Sequence, residues 1–293
     1  MSTVLILLAA FCWGLIGLFT RSLSALGLTS LQIAALRSIV SAVLMIGYLA
    51  VRSPKELKIQ LKDLWMFFGT GVCSLLFFNV CYFTAINLTS LSVAAILLYT
   101  APIFVMILSA IFFREKITKR KLLALVLALG GCVLVTGVLR GKLVLSAFGL
   151  LMGIGSGFGY ALYSIFSPLA LKKYSTLTVT TYTFLTCGVC SLVFLRPVSL
   201  VRTCAAAPVK SVIMILLLAV VSTVAPYLLY TEGLKHTASG RASVMASLEP
   251  VVASLVGVVV FKEAMGIDGV LGTLAVLAAV VLLNVGDKGK EKK

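Results

Sequence analysis

The sequence predicts an all-α integral membrane fold: ten transmembrane helices in two inverted five-helix repeats. Three observations carry that prediction. The 293-residue chain is 61% hydrophobic and only 12% charged, against roughly 45–50% and 25% in soluble domains, and its mean hydropathy is +1.15. Its apolar residues gather into runs of roughly 17–27 residues, and a run of ~20 crosses a bilayer as a helix. Finally, the two halves of the chain match each other at a constant spacing of 148 residues.

In order, the runs cover residues 3–20, 28–51, 64–86, 90–113, 122–139, 144–170, 176–195, 211–233, 239–261 and 267–285. The first, from Val4 to Thr20, has no basic residue before it and many similar runs after it, so it reads as a retained helix and not a cleaved signal. The second closes at Arg52. Lys55, Lys58 and Lys62 precede the third, Arg114 to Lys121 separate the fourth from the fifth, and Arg140 follows the fifth. Lys172 and Lys173 end the sixth, Arg196-Pro197 the seventh, Lys235 the eighth and Lys262 the ninth. Residues 1–139 form the first repeat, 144–285 the second, and 286–293 a basic tail.

Lys and Arg set the orientation, because they collect in cytoplasmic loops. Of the 25, seventeen fall on the side shared by both termini and seven on the opposite side, Arg37 lying inside a helix. Both termini are therefore expected in the cytoplasm, in a multi-pass inner or plasma-membrane protein. The net charge of +16 belongs to these loops, with no basic helix or sheet face for nucleic acid.

At the spacing of 148, Tyr82 matches Tyr230, Thr89 Thr237, Ala94 Ala242 and Pro102 Pro250. Phe113-Arg-Glu115 then matches Phe261-Lys-Glu263, and Leu123 matches Leu271. Five helices is an odd number, so the second repeat enters the membrane upside down. Inverted repeats point to a secondary transporter with its substrate site near the midplane, between the repeats.

Nothing points to an enzyme. The sequence has no Ser-His-Asp set, metal-ligand cluster or phosphate loop, and no cofactor or metal is implied. Cys187-x-x-Cys190 has redox-like spacing but sits in an apolar helix without a histidine partner, where cysteine acts as a small hydrophobe. The Gly-rich stretch from Gly153 to Gly159 follows no strand and reads as helix packing, not a nucleotide site.

The residue that most calls for explanation is Glu249, in Ser247-Leu-Glu-Pro250 at the middle of the ninth run. A carboxylate at the bilayer midplane is costly and is a functional candidate by default. Two roles are open: a proton carrier or counter-charge for an amine, and a buried partner for Arg37. Arg37 itself either grips a substrate carboxylate through its planar fork or locks its helix to a neighbour. Pro102 and Pro250 each break a membrane helix. Trp13, Tyr82, Tyr99, Tyr160, Tyr163, Tyr227 and Tyr230, with the amide of Asn79, are candidate pocket lining. Tyr82 and Tyr230 lie nearer helix ends, where an interfacial belt is the alternative. Glu232 is expected to pair at the surface with Lys235, and His236 to sit in a loop.

Several stretches resemble the EamA-type transporters of the drug/metabolite transporter superfamily, over essentially the whole chain. They are Cys12-Trp-Gly14, Leu36-Arg37, Ala101-Pro-Ile-Phe104 with Arg114-Glu115, and Leu248-Glu-Pro-Val251 with Lys262-Glu263. The resemblance implies a central cavity between the halves, lined by the first, third, fourth, sixth, eighth and ninth helices. It also implies export or exchange of amino acids and other small metabolites. In the second half Tyr160-Ala161 stands where the first has Trp13-Gly14, and Tyr182 stands near the place of Arg37. The two walls therefore differ chemically.

The expected function is alternating-access transport of an amino acid or related amine, with Trp13, Arg37, Asn79, Tyr82, Tyr99, Tyr163, Tyr230 and Glu249 binding substrate and Glu249 the proton-coupling candidate. Expected partners are that substrate, the bilayer and protons, with no nucleic acid, for a monomer or homodimer. A multidrug or organic-cation exporter would need Glu249 without Arg37. A membrane scaffold or lipid-handling protein would need neither the inverted repeat nor the paired prolines.

Overall fold

The structure is a computed structural model and describes residues 2–138 and 146–284. The basic tail 286–293, Arg140 and Lys142 lie outside the described residues. Among the described residues nine helical stretches are long and apolar enough to cross a membrane: α1 (Ser2–Ala25), α2 (Ser30–Arg52), α3 (Leu61–Leu88), α4 (Leu91–Phe113), α6 (Ala147–Leu171), α7 (Thr176–Phe194), α8 (Pro208–Leu234), α9 (Ser239–Phe261) and α10 (Ile267–Asn284). Between α4 and α6 lies α5 (Lys119–Val135), 17 residues long, about 25 Å at ~1.5 Å per residue and still enough to span. The chain is a multi-pass membrane protein.

Hydroxyl residues start many of these helices. Thr29, Ser90, Thr118, Ser146 and Ser175 accept from the backbone N–H three residues on, at the starts of α2, α4, α5, α6 and α7. Thr29 and Gln32 form a reciprocal capping box. The boundaries differ from the sequence expectation chiefly between α7 and α8. There a short helix, Pro197–Ala206, occupies what reads as a loop. It has Pro at its first turn and polar and apolar residues mixed, so it carries no spanning signal.

The repeat holds residue for residue in the broken helices. α4 consists of Leu91–Leu98 and Ala101–Phe113, and α9 of Ser239–Ala246 and Glu249–Phe261, each bound offset by the same 148 positions. Pro102 and Pro250 stand in the first turn of the second piece, where a missing N–H costs nothing. Both helices end on a left-handed basic residue, Arg114 at φ 54° and Lys262 at φ 57°. The next N–H bonds back in both copies, Glu115 to Ser109 O at 3.2 Å and Glu263 to Gly257 O at 3.1 Å.

Two further irregularities also recur. α3 is π-helical over Gly69–Leu76 and α8 over Val220–Val224, their ends again 148 apart. Such wide turns loosen the backbone ladder and concentrate at functional sites.

α5 and α10 cross so closely at Gly131 and Gly272 that a Cβ on either would lie 2.7 or 2.6 Å from the other's carbonyl oxygen. The termini meet on one face: Thr3 donates to Asn284 Oδ1 at 3.1 Å, and Arg241 reaches the same oxygen at 3.0 Å. This is called the near face below. The central cluster joins Trp13 and Ile6 of α1, Tyr163 of α6, Tyr227 and Tyr230 of α8, and Met245 of α9. Large aliphatic residues such as Val43, Ile111, Val126, Val259 and Leu274 remain exposed on the outer surface, as lipid contact requires.

Candidate functional site

The two helix breaks and α1 build the site. α1 is itself interrupted at Leu15, between Ser2–Gly14 and Ile16–Ala25, next to the place where it meets α9. A Cβ on Gly14 would lie 2.5 Å from Val252 Cβ and 2.9 Å from Glu249 O. Glycine there lets α1 seat the backbone of Glu249 directly. Glu249 opens the second piece of α9, where the helix dipole favours a negative charge.

Two small hollows share a wall at Tyr160. One is lined by Trp13, Ser74, Leu75, Phe78, Tyr160, Tyr163, Ser164, Tyr227 and Tyr230. The other is lined by Leu98, Tyr99, Ala101, Pro102, Tyr160, Ser243, Ala246, Ser247 and Glu249. The first is an aromatic box. Trp13 lies 5.3 Å from both Tyr227 and Tyr230 and 6.2 Å from Tyr160, with Tyr163 5.0 Å from Tyr227 and Phe78 5.6 Å from Tyr160. The second holds the carboxylate, within reach of the Tyr160 hydroxyl. Negative ring faces beside a carboxylate attract a cation.

Of the sequence candidates, Trp13, Tyr163 and Tyr230 come together in the first hollow and Tyr99, Pro102 and Glu249 in the second. Tyr82 stands beside them, 5.9 Å from Phe78, and feels the charge of Glu249. Tyr230 is no interfacial residue: it is 2% exposed, because α8 turns it inward against α1 and α6. Pro250 is buried behind the break.

Arg37 lies off both linings. It is buried and donates to Asn79 Oδ1 at 3.3 Å, while Asn79 donates to Leu75 O at 2.7 Å. Among the described residues no direct ion pair joins Arg37 to Glu249, although their charges influence each other across the site. Glu232 pairs with Lys235 at 2.7 Å and also accepts from Thr176. Cys187 and Cys190 are free thiols. Gly153 and Gly157 of α6 admit Leu97 and Thr100 of α4 to within a missing Cβ, as close helix packing requires.

Sequence reading missed Ser74. It lies in the π-helical stretch of α3 and lines the aromatic hollow. Its hydroxyl is buried with no hydrogen-bond partner among the described residues. An orphaned buried hydroxyl costs ~1–3 kcal/mol, so one facing a hollow is suited to a ligand. A lone serine in an apolar run carries no sequence signal of this.

The family model of the EamA-like transporter family matches residues 1–137 and 147–285. An uncharacterized transporter of Archaeoglobus fulgidus is 33% identical over 280 residues, 94% of each chain. A second from that organism is 27% identical, covering 96% of this chain and 97% of its own. The uncharacterized transporter YwfM of Bacillus subtilis is 24% identical, over 98% and 94%. A solved crystal structure superposes with a TM-score of 0.79 at 17% identity, over 96% of this chain and 95% of that one, which shows the same fold. The full-length match, the repeated proline-broken helices and the relatives together place this chain in the EamA-like transporter family.

Proposed function

We propose that this chain is a secondary transporter that exports a small amine-bearing metabolite, an amino acid or a related amine, by alternating access. In this reading both termini and the near face are cytoplasmic, as the asymmetry of the basic loops requires. The observation that carries the reading is the placement of Glu249. A lone carboxylate at a helix break faces a hollow that shares Tyr160 with an aromatic box. Carboxylate and rings together match an ammonium group, and the same carboxylate can exchange a proton for it. Ser74 adds a neutral hydrogen-bond partner.

The position of Arg37 favours a second reading, an organic-cation exporter. Held by Asn79 away from both linings, Arg37 does not have to meet a substrate carboxylate. A thermal-shift panel on the purified protein separates the two, since a ligand that binds the native state raises its apparent melting temperature. Amino acids should stabilise the protein, and their esters should do so less. Equal stabilisation by ester and acid, unchanged in Arg37→Ala, supports the cation reading. No stabilisation by any amine contradicts both.

A further inference from the structure

The two faces of the molecule are closed differently. On the near face, Ser239–Ala246 of α9 packs on Ala101–Phe113 of α4, and the Ala225–Leu234 part of α8 packs on α6. The inverted counterparts on the far face would join Leu91–Leu98 to Glu249–Phe261, and Phe77–Leu88 of α3 to Ile16–Ala25 of α1. Neither pair packs beyond marginal contact.

Hydrogen bonds follow the same division. Glu115, just past the end of α4, accepts from Ser239 N at 2.9 Å and from Lys121 at 3.2 Å. The residue before Ser239 is Ala238, which offers no side-chain cap, so Glu115 caps α9 from another helix. Between α6 and α8 the hydroxyls of Tyr163 and Thr231 lie 2.6 Å apart, and those of Ser164 and Tyr230 2.8 Å apart. All four residues are buried.

The far-face twins make none of these bonds. Glu263 repeats the backbone of Glu115, but Arg21 takes its carboxylate at 2.7 Å in a half-exposed pair. Ile16 and Gly17 stand at the places of Tyr163 and Ser164, and Phe83 at that of Thr231, so no hydroxyl pair can form there.

We infer that Glu115–Ser239, Tyr163–Thr231 and Ser164–Tyr230 form the near-face gate, a buried hydrogen-bonded seam that holds this side shut, while the same places on the far face carry no such seam and the Glu115 twin there makes only the half-exposed Arg21–Glu263 pair. Transport in a direction that passes the near face must break this seam. Tyr163 and Tyr230 then serve the gate through their hydroxyls while their rings wall the aromatic box, which couples box and gate. The inference rests on alternating access but not on any substrate.

The test reads opening directly. In full-length protein with the native cysteines replaced, Ser167→Cys places a buried reporter one turn of α6 beyond Tyr163. Its labelling by a membrane-impermeant thiol reagent is followed from each face of oriented vesicles. Thr231→Val and Tyr230→Phe should each speed labelling from the near face by roughly five- to tenfold, the worth of about one net hydrogen bond, and Thr231→Ser should not. Should cysteine replacement prevent folding, amide exchange over α6 and α8 in otherwise native protein reads the same difference. Equal rates in Thr231→Val and Thr231→Ser, or equal labelling from the far face, overturn the gate. Absence of flux with the labelling difference intact would count against the transport reading and leave the gate standing.

Discussion

Gly14→Ala is a one-atom test of how α1 seats the helix break in α9. The added Cβ would lie 2.5 Å from Val252 Cβ, 2.7 Å from Val252 Cγ1 and 2.9 Å from Glu249 O. Carbon atoms prefer roughly 3.5–4.0 Å, so about 1 Å of separation must be found against backbone as well as side chain. Rotating Val252 relieves only part of the clash, because the Glu249 carbonyl belongs to the break itself. Overpacking of this kind costs ~1–3 kcal/mol, roughly 5- to 150-fold in the fraction of correctly seated protein. Gly17, three residues on, is the matched control, since a Cβ there meets nothing within 4 Å. Both substitutions raise helix propensity, and neither changes charge. Thermal unfolding in detergent and flux in proteoliposomes should both fall for Gly14→Ala and stay unchanged, or improve slightly, for Gly17→Ala. Equal stability and flux in the two variants would refute the seating argument.

Other substitutions probe separate parts of the molecule. Ser74→Ala removes an orphaned hydroxyl, so it should leave apparent stability unchanged or raised while weakening the thermal shift given by a bound amine; a loss of stability instead would show the hydroxyl to be structural. Gly131→Ala should separate α5 from α10, because the new methyl lies 2.7 Å from Gly272 O; about 1–3 kcal/mol of destabilisation should appear as a lower apparent melting temperature. Asp63 accepts from both Lys173 and Tyr174 at 2.7 Å, joining the start of α3 to the link before α7, so Asp63→Asn should lower the melting temperature while Lys62→Gln should not.

The membrane fold was legible because lipid imposes a simple rule: every spanning segment must be a long apolar helix. The repeat was legible because Pro102 and Pro250, and Arg114 and Lys262, recur at the same spacing of 148. Proline fits the first turn of a restarted helix, where its missing N–H costs nothing, so the break leaves a letter behind. The π-helical turns left none. At the repeat spacing Gly69–Leu76 and Val220–Val224 share Val72/Val220 and Ser74/Ser222, residue types common throughout packed membrane helices. Pairings were equally hidden. Ser164 and Thr231 look like ordinary small residues of packed membrane helices until they are seen facing Tyr230 and Tyr163. Tyr230 was judged by its distance from a helix end, whereas its burial depends on which way α8 is rotated. Arg37 and Glu249 stand out by cost alone, but cost does not say that Asn79, not Glu249, takes the guanidinium.

The most direct measurement is amine efflux from proteoliposomes with and without an imposed pH gradient, in the native protein and in Glu249→Gln. A transporter that trades a proton for its substrate at Glu249 predicts gradient-stimulated flux in the native protein. It also predicts loss of that stimulation in Glu249→Gln, with the protein still folded. Unchanged flux and unchanged pH response in Glu249→Gln would contradict it.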